Sequence, residues 1–296
     1  MNLSRLLEEG RFVVTGELVP PRSPDPGVVR RAAQRLRGLV DAVNVTDNAT
    51  ARVGMTPLAA AMLAAGEGLD PVLQLTCRDR NRLALTADLL GAHALGIRAV
   101  LCLSGDPMEV GRTGAKPVFD LDAVGLARLA TDLGQGRAPG GTTIDPPAHF
   151  LVGVAEAPGA DPSGGDRLAA KADAGATFAQ TQPIYDVAQF ATWLDRLAVR
   201  GLPDRVAILA GILPPTSAAQ LERFATLPGW SVPDAVLARM RTARDQRAEG
   251  IALAAEMVQA VRTLPGVRGI HLMGLATSGV PEVAHAAGLL PRPVPA

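Results

Sequence analysis

Apolar, β-branched runs alternate with segments of helical period along the whole chain, and this alternation restricts the fold more than any single residue does. The first run, from Val13 to Val19, is stopped by Pro20-Pro21, which cannot donate to a sheet ladder. A helix is predicted from about Asp25 to Leu39, with Pro26 early in it. Strand two is Ala42 to Asn48, and the helix after it, Thr56 to about Glu67, begins Thr-Pro, a helix-start pattern. Strand three, Val72 to Cys77, precedes a helix from about Arg80 to Ala94. Strand four, Ala99 to Leu103, ends in Ser104-Gly105-Asp106-Pro107; a loop leads to a helix over Leu121 to Leu133. The Gly/Pro-rich stretch 134–148 reads as an exposed loop, because the alternation resumes beyond it. Strand five is Phe150 to Ala155, with a helix from about Gly165 to Ala174. Strand six, Thr177 to Thr181, ends in Gln182-Pro183, and its helix is Val187 to Val199. Strand seven is Val206 to Ile212, followed by helical segments near Ser217 to Thr226 and Pro233 to Leu264. Strand eight is Gly269 to Gly274, and Pro281 to Ala287 makes the last helix.

Eight strand signals, each followed by helix at short spacing, predict a single-domain (β/α)8 TIM barrel over 1–296. No Gly-rich dinucleotide fingerprint follows any strand, so the open doubly wound sheet loses its usual support. A chain of 296 residues with 48% hydrophobic content is long enough for one such core. Lys+Arg and Asp+Glu are both 29, so nothing in the charge favours nucleic acid or an anionic membrane as partner. Cys77 and Cys102 sit in apolar runs and resemble buried thiols of a reducing compartment. Residues 1–10 carry charges where a signal peptide needs its apolar core, and no run of about 18 apolar residues exists. The expectation is a cytoplasmic protein. Its oligomeric state is open, a homo-oligomer included.

In a parallel barrel chemistry gathers at the C-terminal strand ends. Those ends carry Glu17; Thr46, Asp47 and Asn48; Gln74 and Thr76; Ser104, Gly105 and Asp106; Glu156; Thr181 and Gln182; Gly211 and Pro214; His271 and Thr277. Glu17 is the anomaly, a carboxylate in a strand built for burial, which must pair or hold its proton. An ordinary Glu held by an arginine is the competing reading. Glu17 and Asp106 at one mouth make an acid and an anion of two carboxylates; alternatively, Gly-Asp-Pro is good turn chemistry by itself. Gln182 donates and accepts at once, as an amide-like heterocycle edge requires. A Schiff-base lysine is not placed for the task, since Lys116 falls in a loop and Lys171 in a helix. The four scattered histidines and the lack of CxxC argue against a metal site. Gly274 to Gly279 before a short helix leaves a phosphate-ligand barrel as a further alternative.

Seven segments in order, Gly-Glu-Leu-Val-Pro-Pro-Arg (16–22), Val-Asn-Val-Thr-Asp-Asn (43–48), Leu-Thr-Cys-Arg-Asp-Arg-Asn (75–81), Ser-Gly-Asp-Pro (104–107), Lys-Ala-Asp-Ala-Gly-Ala (171–176), Thr-Gln-Pro-Ile-Tyr-Asp (181–186) and Gly-Ile-Leu-Pro (211–214), closely resemble methylenetetrahydrofolate reductase. The resemblance implies a TIM barrel of one-carbon metabolism that reduces 5,10-methylenetetrahydrofolate to 5-methyltetrahydrofolate with NADH or NADPH, usually through FAD. By position it implies that Glu17 is the general acid and that Asp106 lies beside both flavin and pterin. Gln182 and Gln220 are then folate contacts, and Phe224 an aromatic near the stacked substrate and nicotinamide. Thr46, Gly105, Phe119, Asp120 and Lys171 fall at flavin-contacting positions. The chain departs from the family where Gln74 and Ser104 replace a His and an Arg that contact FAD. It departs again where Val154-Ala155-Glu156-Ala157-Pro158 replaces a Tyr and a His, and where Leu275-Ala276-Thr277-Ser278 lacks an Arg for the folate tail. A neutral pair in place of a cationic clamp suits an anionic diphosphate poorly. The alternatives are a flavin-free reductase passing hydride directly from nicotinamide, or a folate-binding barrel serving a methyl-transfer or electron-transfer complex.

Overall fold

Strand β1 (Val13–Leu18) is bordered by β2 (Ala42–Val45) on one side and by β8 (Val267–Leu272) on the other, and every pairing between them and around the ring is parallel. The remaining strands, β3 (Pro71–Thr76), β4 (Ala99–Leu103), β5 (Leu151–Glu156), β6 (Phe178–Pro183) and β7 (Ala207–Ile212), complete a closed barrel in chain order. The computed structural model describes residues 3–226, 229–274 and 279–289. The helices are α1 (Leu3–Glu8), α2 (Pro26–Leu36), α3 (Pro57–Gly66), α4 (Arg82–Ala94), α5 (Ala123–Gly134), α6 (Asp166–Asp173), α7 (Val187–Val199), α8 (Ala218–Ala225), α9 (Asp234–Thr242), α10 (Gln246–Arg262) and α11 (Val280–Ala286). Among the described residues no helix is long and apolar enough to cross a membrane.

Local chemistry sets the helix starts. Asp25, Thr56, Asn81, Asp122, Asp186, Ser217 and Asp245 each accept a backbone N–H of the helix they precede. The segment predicted as helical over 233–264 is two helices, because Ala243 is extended and Asp245 caps a new start. β2 ends at Val45 rather than Asn48, whose φ of 43° lies in the left-handed region. β8 starts two residues earlier than expected and ends at Leu272, which leaves Gly274 in the loop beyond it. Helix α1 was not expected.

The barrel interior is layered by the period-two alternation of each strand. Its floor is apolar: Val13, Ala42, Val72, Ala99, Leu101, Phe178 and Leu209 pack with Leu3 and Leu6, so α1 closes the N-terminal mouth. Asp70 accepts the Leu3 N–H at 2.8 Å and fixes that helix. The Phe178 ring fits only because residue 153 is glycine, since a Cβ there would lie 2.1 Å from the ring. Above the floor is a polar layer. Gln180 Nε2 donates to Asn44 Oδ1 at 3.1 Å and to Thr15 Oγ1 at 3.3 Å, and Asn44 Nδ2 returns a bond to Gln180 Oε1. Thr15 Oγ1 lies 2.9 Å from His271 Nδ1. His271 is therefore an interior residue of the barrel and not part of the strand-end rim, and burial pushes its pKa down to about 3. The larger core lies between barrel and helices and takes in both free cysteines, Cys77 and Cys102.

Candidate functional site

Glu17 stands two residues beyond Thr15, on the same strand face and one layer higher, at the C-terminal mouth. It is half-buried. Its Oε2 accepts the Gly274 N–H at 2.9 Å, so the loop leaving β8 holds the carboxyl that β1 presents. Desolvation pushes the Glu17 pKa above the usual carboxylate range, while the Gly274 bond acts in the other direction. The alternative of a glutamate held by an arginine is not what the structure shows among the described residues: a backbone N–H, not a cation, is its partner.

Asp106 follows β4 and is exposed; its Oδ2 accepts the Thr50 N–H at 2.9 Å. That bond joins two loops, and Arg78 joins a third. The Arg78 guanidinium, 1% exposed, donates to both Asp79 carboxylate oxygens at 2.7 and 2.8 Å, to the Asn48 carbonyl at 3.1 Å and to the Asp106 carbonyl at 3.4 Å. Gly105, at φ +97°, passes so close that a Cβ would lie 2.8 Å from Arg78 Cβ. Beside this, buried Asp47 accepts from Thr76 N at 2.8 Å, from Thr76 Oγ1 at 3.0 Å and bidentately from Arg80 at 2.6 and 3.2 Å. Asn48, Thr50 and Ala51 all have positive φ, so strained backbone sits at this corner and is held by the charges around it. Sequence reasoning missed this role of Arg78 to Arg80; the alternating charges directly after β3 were its visible trace.

At β5 the structure adds another pairing the sequence did not announce. Lys171, from α6, is buried and donates to Glu156 Oε1 at 2.7 Å and to the Ala155 carbonyl at 2.5 Å. Glu156 Oε2 is buried without a partner among the described residues. A carboxylate ending an apolar strand in a chain with two lysines was the available signal.

The other positions are placed as follows. Thr46 is buried with its hydroxyl unpartnered among the described residues, and Gln74 is buried in β3. Ser104 Oγ accepts the Ala123 N–H at 3.2 Å, and Asp120 forms a bidentate pair with Arg82 at 2.9 and 3.0 Å. Phe119 is exposed at φ +42°. Gln182 is half-buried at the end of β6, where the register with β7 shifts. Gln220 Oε1, on α8, accepts from Thr216 N at 2.7 Å and Thr216 Oγ1 at 3.0 Å. Phe224 on the same helix packs against Trp230, ring centroids 4.7 Å apart. Bonds tie Glu17 to the β8 loop, and Asp106 to the β2 and β3 loops; Gln182, Gln220 and Phe224 keep to the β6 and α8 side. Thr277 and the rest of 275–278, where the phosphate-cup loop and the missing arginine were argued, lie outside the described residues.

A closed parallel barrel with an acid-bearing strand end, loop-borne carboxylate and amide side chains at its C-terminal mouth defines the class: a (β/α)8 protein of the enzyme type. The family model described as methylenetetrahydrofolate reductase matches residues 2–288, and the chain belongs to that family. It is 29% identical to the 5,10-methylenetetrahydrofolate reductase of Pectobacterium carotovorum subsp. carotovorum, over 98% of this chain and 95% of that protein. The enzyme of the same name from Escherichia coli (strain K12) is 28% identical over 76% of this chain and 72% of its own length. Among solved structures, a Clostridium thermocellum protein that binds two copies of 5-methyl-5,6,7,8-tetrahydrofolic acid superposes with a TM-score of 0.69. It has 14% identity, covering 97% of this chain and 98% of that one. Oxaloacetate acetylhydrolase shares the fold more distantly, with a TM-score of 0.53 and 13% identity over 92% of this chain and 78% of its own. Family membership makes the chain an oxidoreductase of the methylenetetrahydrofolate reductase type.

Proposed function

We propose that this protein reduces 5,10-methylenetetrahydrofolate to 5-methyltetrahydrofolate with NADH or NADPH, and that Glu17 is the general acid. The observation that carries the reading is Glu17 itself: a carboxyl at the mouth, raised in pKa by burial and oriented by the Gly274 N–H. Such a group holds its proton more tightly than an ordinary carboxyl and gives it to a folate nitrogen, which opens the five-membered ring to the iminium. Hydride then adds to the methylene carbon. One proton and one hydride are consumed, and oxidised nicotinamide leaves. Asp106 lies beside the pterin, with Gln182 and Gln220 as folate contacts and Phe224 as the stacking surface. The methyltetrahydrofolate bound by the Clostridium thermocellum protein supports a folate ligand for this barrel.

FAD fits the carried-over positions poorly. Gln74 and Ser104 are neutral, Asp120 is neutralised by Arg82, and the Lys171 ammonium is spent on Glu156. None of these offers an unpaired cation to a flavin diphosphate, so the reading passes hydride directly from nicotinamide to folate. The purified protein's absorbance from about 300 to 550 nm tests this, because a bound flavin carries its own chromophore. The expected result is no flavin band, with NADH or NADPH oxidation that depends on methylenetetrahydrofolate. A flavin band that bleaches on NADH addition overturns the direct transfer; folate binding without turnover moves the chain to a subunit of a larger transfer complex.

A further inference from the structure

Arg22 and Arg52 line one cavity of about 180 Å³ above the ends of β1 and β2, with Thr46, Asn48 and Thr50 in its wall. Neither guanidinium has a carboxylate or hydrogen-bond partner among the described residues. The neighbouring polar groups are engaged: Asn48 donates to Asp79 at 3.1 Å and accepts the Gly54 N–H at 3.2 Å, and the Thr50 N–H goes to Asp106. Thr46 is the exception, 2% exposed with its hydroxyl unpartnered. Both arginines are exposed, and two cations without counter-charge on one concave wall concentrate positive potential there. The guanidinium fork matches the oxygens of phosphate and carboxylate, so such a group is the ligand this wall suits. The volume is below that of a site for a whole cofactor or substrate, about 300 Å³ and upward. It suits one anionic group of a larger molecule. The Thr50 to Asp106 bond makes the cavity wall continuous with the proposed active site.

We propose that this cavity is an oxyanion subsite. Arg22 and Arg52 grip a phosphate of the nicotinamide dinucleotide or a carboxylate of the folate tail, while the reacting end of the same molecule lies over Glu17 and Asp106. The proposal rests on the reductase reading for its choice of ligands, and on the unpaired arginines for the anion.

The test compares wild type with R22Q, R52Q, the double variant R22Q/R52Q and the charge-retaining R22K/R52K. Steady-state constants are measured with NADH, NADPH and methylenetetrahydrofolate carrying one or three glutamates, alongside thermal melts with inorganic pyrophosphate. The double variant should raise one KM by about tenfold or more, the size of a lost charge-assisted contact, with kcat changed less; the lysine variant should recover part of it. A rise for NADH and NADPH alike assigns the dinucleotide diphosphate, and a rise for NADPH alone its 2′-phosphate. A rise confined to the folate, larger with three glutamates, assigns the tail. Unchanged KM values in the double variant overturn the subsite. If the wild type does not turn over at all, the reductase reading fails separately. The melts then decide: pyrophosphate stabilisation lost with the arginines keeps the anion site, and stabilisation equal in both proteins removes it.

Discussion

The Gly274 N–H donates to Glu17 Oε2 at 2.9 Å, so a carboxyl on β1 is aimed by the backbone that leaves β8. A backbone donor orients the side chain without bringing a positive charge that would strip its proton. Burial can then keep the acid form populated.

Replacing Glu17 by Gln keeps the shape and the Gly274 contact but removes the transferable proton. Turnover should fall by about 10²- to 10⁴-fold, the usual contribution of a general acid, while folate binding measured by calorimetry persists. Because the acid must enter protonated, wild-type kcat/KM should hold on the acid side of the raised Glu17 pKa and decline as pH rises through it. Retained turnover in E17Q would take Glu17 out of the mechanism.

The Lys171 to Glu156 pair should behave as a buried ion pair does when halved. Lys171→Met leaves a buried carboxylate without its counter-charge and should cost about 3–5 kcal/mol in urea melts. The double variant K171M/E156M removes both charges and should lie closer to wild type than K171M. A double-variant loss equal to the sum of the K171M and E156M losses would show that the two residues act independently.

His271 is neutral in the fold, with a pKa pushed down to about 3 from an ordinary 6.5 by burial. Between those values the unfolded chain binds a proton that the folded chain refuses, so stability is full above about pH 6.5 and falls as pH drops, at a limiting slope of about 1.4 kcal/mol per pH unit for one site. His271→Gln keeps a polar partner for Thr15 but does not titrate. Denaturant midpoints for H271Q should therefore change less between pH 7 and pH 4 than those of wild type. Identical acid limbs would mean that other groups set this dependence.

Gly153 is the space that the Phe178 ring occupies, and a methyl group there has nowhere to go. Gly153→Ala should destabilise by about 1–3 kcal/mol, the range for an overpacked core. Adding Phe178→Leu should recover part of that loss in the same melts. A G153A protein as stable as wild type would show that the floor of the barrel can shift to accept it.

The barrel and its strand order were legible because eight apolar runs, each followed by a helical segment, leave few ways to bury both sheet faces. Glu17 stood out for the same reason, as a charge where burial was expected. What the sequence hid was partnership. His271 looked like a strand-end residue until its neighbour proved to be Thr15, 256 positions away. Glu156 and Lys171 were both visible, but only the packing of α6 on β5 brings their charges together. α1 went unseen because a short charged segment carries little periodic signal; its two leucines gain their meaning from the open floor they cover.

The polar layer of Thr15, Asn44, Gln180 and His271 cross-links β1, β2, β6 and β8 beneath the mouth. Those same four strands, or the loops directly after them, carry Glu17, Thr46, Gln182 and Gly274. The layer therefore works like the base plate of a vise: the jaws above it keep their spacing even when the long loops at the rim are exchanged. Reshaping what this barrel accepts should succeed from the 107–121 loop inward, and should fail when begun at Asn44 or Gln180.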